Sequence, residues 1–114
     1  MQLLVTSGTL PKGFVIEGTV YRHFDMREAE LADMIEAEAD SGGAGHAIHY
    51  NAQLAVRQLT KIRSDDGREY PGPFTVGMVK KRADFLALRS AQIVLDRLGN
   101  VELSESATTS TPSS

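Results

Sequence analysis

The residues with the most chemical potential crowd into one stretch. Asp33, Glu36, Glu38 and Asp40 offer carboxylates for acid/base work. That chemistry needs a carboxylate whose pKa is shifted by an apolar cleft. These four sit among alanines, which reads as a hydrated helix face. His46 and His49 lie three apart and could share a helix face near Glu36, Glu38 or Asp40. Zinc sites on helices instead pair His at i and i+4 with a further defined ligand. No metal is therefore expected, and His23 reads as a solvent-facing hairpin residue. No serine lies in a nucleophile-elbow pattern. Gly42-Gly43-Ala44-Gly45 lacks the Lys-Ser or Lys-Thr that would make it a phosphate loop. Lys80-Lys81-Arg82, with Phe74 and Phe85 nearby, is a short basic cluster, but three residues are a weak signal for nucleic acid. The residues point to no enzyme and no cofactor, and favour a binding or assembly role.

The elements that must position these residues divide at Asp25-Met26-Arg27. Before it, Val20, Phe24 and Met26 share one face of an extended segment. After it, Leu31, Met34 and Ile35 recur at helical spacing. Leu3 to Val5 suggests a short strand, and Thr6-Ser7-Gly8-Thr9 a turn or flexible arm. Phe14 to Ile16 and Thr19 to Phe24, joined by Glu17-Gly18, predict a β-hairpin. A first helix is predicted from Arg27 to Ala39, with Asp25 as N-cap and Glu28 in the capping-box position. A second covers His46 to Leu59, with an apolar seam of Ile48, Ala52, Ala55, Leu59 and Ile62. Thr60 to Tyr70 around Asp66-Gly67 suggests a second small hairpin. Thr75 caps a short helix to Arg82. Asp84 caps a last helix, Phe85 to Leu98, buried through Phe85, Leu88, Ala91, Leu95 and Leu98; one kinked helix over both segments fits the sequence as well. Gly99-Asn100 reads as its stop. The fold expected is α+β: a small N-terminal β-hairpin or sheet followed by a three- to four-helix bundle. Residues 1–9 are a flexible arm or short strand, 10–99 one domain, and 100–114 a disordered Ser/Thr-rich tail.

The totals set outer limits. A chain of 114 residues suggests one domain, and a hydrophobic fraction of 41% supports a modest core. No cysteine is present, so no disulfide or thiolate site can form. The formal charge of -3 argues mildly against general nucleic-acid binding. No apolar run approaches the roughly 20 residues that span a bilayer. A cytoplasmic protein without membrane or nucleic-acid partners is the expectation. Asp25 to Asp40 holds seven acidic residues against one basic, while Arg57 to Arg97 holds nine basic against five acidic. Two faces of opposite sign could pair within the chain or between copies.

Several short motifs then fall in a familiar order. They are Leu10-Pro11-Lys12-Gly13, the segment Gly18 to Phe24, Met26-Arg27-Glu28-Ala29 and Asp33-Met34. Asn51, Gln58-Leu59 and Ile62 follow. Gly72-Pro73-Phe74-Thr75, Asp84, Leu88-Arg89, Gln92 and Asp96-Arg97-Leu98-Gly99 complete the series. Over about residues 10 to 99 the chain resembles the Mu-like phage tail assembly chaperone family. The resemblance implies a protein that binds the tape measure protein, keeps its apolar helices soluble, and helps recruit tail tube subunits. It implies action in the host cell cytoplasm and absence from the finished virion. Helix-in-groove binding would use apolar residues off the main core seam, for which Met34, Met78, Leu86 and Ile93 are the candidates. Methionine suits a partner of varying sequence. Self-association is a further possibility. The alternative is a small structural tail or baseplate protein retained in the virion, packing through its hairpin edge or acidic helix.

Overall fold

The computed structural model describes residues 3–42 and 45–110, with side chains through Gly99. Strands β1 (Val5–Ile16) and β2 (Thr19–Arg27) open the chain. Helices α1 (Leu31–Ser41) and α2 (Ala47–Gln58) follow, then strands β3 (Leu59–Ser64) and β4 (Glu69–Tyr70). A 3-10 turn at Val76–Met78 leads into helix α3 (Arg82–Ser110). The four strands form one antiparallel sheet in the order β1-β2-β3-β4. The fold is α+β, but its helices interleave with the strands and do not form the separate bundle expected. The second hairpin is the reason. Asp66-Gly67 turns the chain, with Gly67 at φ 91°, and Ser64 N–H bonds Arg68 C=O at 2.8 Å. β3 then pairs with β2 instead of standing alone.

The first hairpin turns through Glu17 (φ 49°) and Gly18 (φ 81°), the left-handed pair that matches strand twist. Thr6 to Thr9 is part of β1 and pairs with β2 from Met26 to His23, so the 9/10 boundary falls inside a strand. Its Ser-Gly-Thr composition resembles a turn, yet Gly8 is there for close packing. A Cβ at Gly8 would lie 2.5 Å from Phe24 Cζ. The register of β1 shifts between Thr9 and Phe14. The side chain of Asp84 fills that irregularity, its Oδ1 accepting the N–H groups of Lys12 (2.8 Å) and Gly13 (3.3 Å). Asp84 therefore ties the first turn of α3 to β1 and does not act as the expected N-cap. In β2 a register shift between Tyr21 and His23 changes which side chains face in. Tyr21, Phe24 and Met26 are buried, while Val20 is exposed.

The core lies between the sheet and α3. Leu10, Phe14, Tyr21, Phe24 and Met26 meet Leu59 and Ile62 from β3, Ala55 from α2, and Leu88, Ala91 and Leu95 from α3. Each large side chain fully buried there contributes about 1.5–3 kcal/mol. Tyr70 extends this core, with ring centroids 6.1 Å from Tyr21 and 5.6 Å from Phe74. The predicted seam of α2 is split. Leu59 and Ile62 belong to β3, and Ile48 is exposed. On α3, Leu88, Ala91 and Leu95 are buried as expected, but Leu98 is exposed. The helix does not stop at Gly99, which lacks the left-handed φ of a helix-ending glycine. The disorder expected at 100–114 concerns residues whose side chains, and at 111–114 whose backbone, lie outside those described.

Candidate partner-binding surface

Helix α1 is turned opposite to what its hydrophobic pattern predicts. Asp33, Ala37 and Ser41 are buried, whereas Leu31 and Ile35 are 70% and 60% exposed and Met34 is also exposed. Two arginines explain the rotation. Asp33, Glu36, Ala37, Asp40 and Ser41 share one helical arc facing α2. Arg57 of α2 pairs with Glu36 (3.4 Å) and with Asp40. Arg27, at the end of β2, grips Asp33 with two prongs, Nη1 to Oδ2 at 2.7 Å and Nη2 to Oδ1 at 3.1 Å. Ala37 and Ser41 are small enough to let α1 approach α2. Asp33, Ala37 and Ser41 thus take the inner face, Glu36 and Asp40 lie on its exposed edge beside Arg57, and the large apolar residues are left outside.

Arg27 is also why the helix starts late. Its Nη2 bonds Arg57 C=O (2.8 Å) and its Nη1 bonds Glu28 C=O (3.0 Å), while its backbone stays in β2. The helix begins at Leu31, not at Arg27. Asp33 Oδ2 accepts Glu30 N–H at 2.8 Å, so the reciprocal cap is Glu30 and Asp33. Asp25, expected at that post, accepts instead from Ser7 Oγ (2.7 Å) and Arg63 Nη2 (3.0 Å) across the sheet. The hydrogen bond from Arg27, opposed by desolvation, holds the Asp33 carboxyl below its ordinary value. The same bond raises Arg27. Asp66 is likewise lowered, first by its bond from the Ser64 hydroxyl.

The tie continues inward. Gln58 Nε2 donates to Arg27 C=O (3.0 Å), and Gln92 Nε2 donates to Gln58 Oε1 (2.8 Å) and Asn51 C=O (3.2 Å). Arg89 Nη1 donates to Gln92 Oε1 at 2.6 Å. Gln58 and Gln92 are buried, so this chain joins β2, α2 and α3 through satisfied polar groups.

An open groove of about 1020 Å³ lies between the first turns of α2 and α3 and the segment before α3. Ile48, Ala52, Val76, Val79, Phe85 and Leu86 give it an apolar lining. His46, His49, Lys80, Lys81 and Arg82 supply its polar and basic side. A smaller depression runs along α1 past Ile35, Glu38, Ala39 and Gly42.

The four candidate contacts are not one cluster. Leu86 lines the groove, and Ile93 is exposed two turns further along α3. Met34 is on α1. Met78 is half-buried against the core, its sulfur 3.3 Å from Thr75 N–H. Sequence reasoning missed Leu31, Ile35 and Ile48 as surface residues. The spacing of Asp33, Glu36 and Asp40 was the available signal, since an acidic arc facing two arginines cannot also present leucine to the core.

His46 and His49 both line the groove, while His23 lies apart on the sheet. His49 Nε2 accepts from Gln53 at 3.1 Å, and His23 pairs with Asp65 at 2.8 Å. Among the described residues no group of three His, Cys, Asp or Glu could hold a metal ion, and no helix is long and apolar enough to cross a membrane. No protein-family model, curated protein or solved structure matches the chain. The resemblance to tail assembly chaperones rests on the sequence motifs alone.

Proposed function

We propose that the chain is a tail assembly chaperone of a long-tailed phage. In this reading it binds the tape measure protein, keeps it soluble, and helps recruit tail tube subunits in the host cytoplasm. One observation carries the reading beyond the motif resemblance. A small domain leaves Leu31, Met34, Ile35, Ile48, Leu86 and Ile93 exposed on its helices. Exposed apolar residues on three helices suit the reversible covering of another protein's apolar helices. No catalytic step is assigned, because Asp33, Glu36 and Asp40 are engaged by arginines and Glu38 is an exposed residue of α1. Co-expression with the tape measure protein tests the proposal. A stable complex, and a partner that precipitates without it, is the expected outcome. Failure to associate removes the reading.

A second reading has its own observation. β1 is 12 residues long and lies at the sheet edge, where its outward backbone groups could accept another strand. That would suit a structural tail or baseplate protein. Mass spectrometry of purified virions separates the two, since stoichiometric presence favours the structural role.

A further inference from the structure

We propose that the groove between α2 and α3 is a docking site for an acidic amphipathic helix. This deepens the chaperone reading and rests on it for the partner's identity. Arg27, Arg57, Lys61, Arg63 and Arg68 each have a carboxylate partner, whereas Lys12, Arg22, Arg89 and Arg97, scattered along the chain, have none among the described residues. Lys80, Lys81 and Arg82 are exposed, consecutive, and without an ion pair among the described residues. The nearest acid in sequence, Asp84, is buried and directed to the β1 backbone. In a chain of net charge -3 this leaves a local positive rim. Beside it, Ile48 and Leu86 are exposed at 74% and 48%. An apolar lining beside unpaired cations matches a segment with an apolar stripe and carboxylates along its border.

A helix suits the shape better than a strand. Two walls are helical turns of α2 and α3 and the third is the short segment before α3, so no sheet edge lines the groove for a strand to extend. The wall from His46 to Ala52 is roughly 9 Å long at 1.5 Å per residue, which accommodates about two turns of a partner helix. Leucines at i, i+3, i+4 and i+7 would reach Ile48, Val79 and Leu86. Glutamates beside them would meet Lys80, Lys81 and Arg82.

The probe is a fluorescein-labelled synthetic helix of about 15 residues, with that leucine spacing and glutamates elsewhere. It is titrated with the full chain and followed by fluorescence anisotropy. Saturable binding that weakens with added salt is expected. The same helix with lysine for glutamate should bind at least about tenfold more weakly. Replacing Lys80, Lys81 and Arg82 together by Gln should cost about tenfold in affinity, with circular dichroism unchanged. Ile48→Asp should cost at least as much, at a position too exposed to disturb the core. Equal binding of the lysine helix, or full affinity in both variants, overturns the proposal. So does displacement of the acidic helix by a single-stranded oligonucleotide, which would make the rim a nucleic-acid contact. Self-association of the unliganded chain that both variants abolish would also overturn it, by making a second copy the occupant. The peptide titration does not use the tape measure protein, so its failure is distinct from failure of the co-expression test.

Discussion

Replacing Asp33 by Ala should weaken the hold of the domain on the start of α1, leaving the Arg57 pairs with Glu36 and Asp40. Three interactions are lost: both prongs of the pair with Arg27, at 2.7 and 3.1 Å, and the cap on Glu30 N–H at 2.8 Å. The cap is worth about 1 kcal/mol. A well-enclosed charged bond reaches about 1.5–3 kcal/mol. Here the side chains of Asp33 and Arg27 retain 13% and 21% exposure, so the lower end applies. Arg27 keeps Arg57 C=O and Glu28 C=O and can turn to Glu30, already 3.7 Å away, which limits the cost of an unpaired charge. Alanine recovers about 0.5 kcal/mol of helix propensity. The net loss is about 2–3 kcal/mol, or a Tm lower by about 10–15 °C. Asp33→Asn keeps one acceptor for the cap or for Arg27 and should lose about half as much. Urea unfolding of both variants measures this.

The pH dependence supplies the sharper check. The Asp33 carboxyl titrates below its unfolded value. Its stabilisation is therefore complete above about pH 4 and disappears as pH falls through the lower folded value. Protonated Asp33 resembles Asn, so the gap between wild type and Asp33→Asn should close on acidification. A gap that stays constant down to about pH 2, or an Asp33→Ala variant within about 0.5 kcal/mol of wild type, refutes the reasoning.

Three other outcomes follow from the packing. Gly8→Ala should destabilise by about 1–3 kcal/mol, because the new Cβ would meet the Phe24 ring at 2.5 and 2.8 Å and that ring is enclosed; thermal melts read it. Asp84→Ala should cost about 2–3 kcal/mol in urea unfolding, since it strips Lys12 and Gly13 N–H of their acceptor, with partial relief from removing a buried carboxylate whose Oδ2 has no partner among the described residues. Leu31→Ser and Ile35→Ser should each shift stability by only about 0.5 kcal/mol, where core residues would cost about 2–5 kcal/mol, yet the pair should weaken tape measure binding in a pull-down.

Local chemistry was enough to place some elements. Glu17-Gly18 and Asp66-Gly67 are turns because their backbone preferences are intrinsic, and the alanine-rich acidic stretch is helical for the same kind of reason. Leu88, Ala91 and Leu95 face inward because no competing interaction rotates α3. The basic trio at Lys80 to Arg82 was also visible, though not the apolar groove beside it, which exists only once α2 and α3 meet. Rotation and register were decided elsewhere. Arg27 lies only six residues before Asp33, but it is fixed by β2 and by the Arg57 carbonyl, and Arg57 itself comes from α2; together they set which way α1 faces and so expose Leu31 and Ile35. β3 joins β2 and turns two hairpins into one sheet, and Asp84 reaches back to β1 across about 70 residues of chain. The sequence by itself determined which segments turn, extend or coil, because those preferences act over a few residues. Only the tertiary structure decided which faces are buried, because that depends on partners supplied from distant parts of the chain.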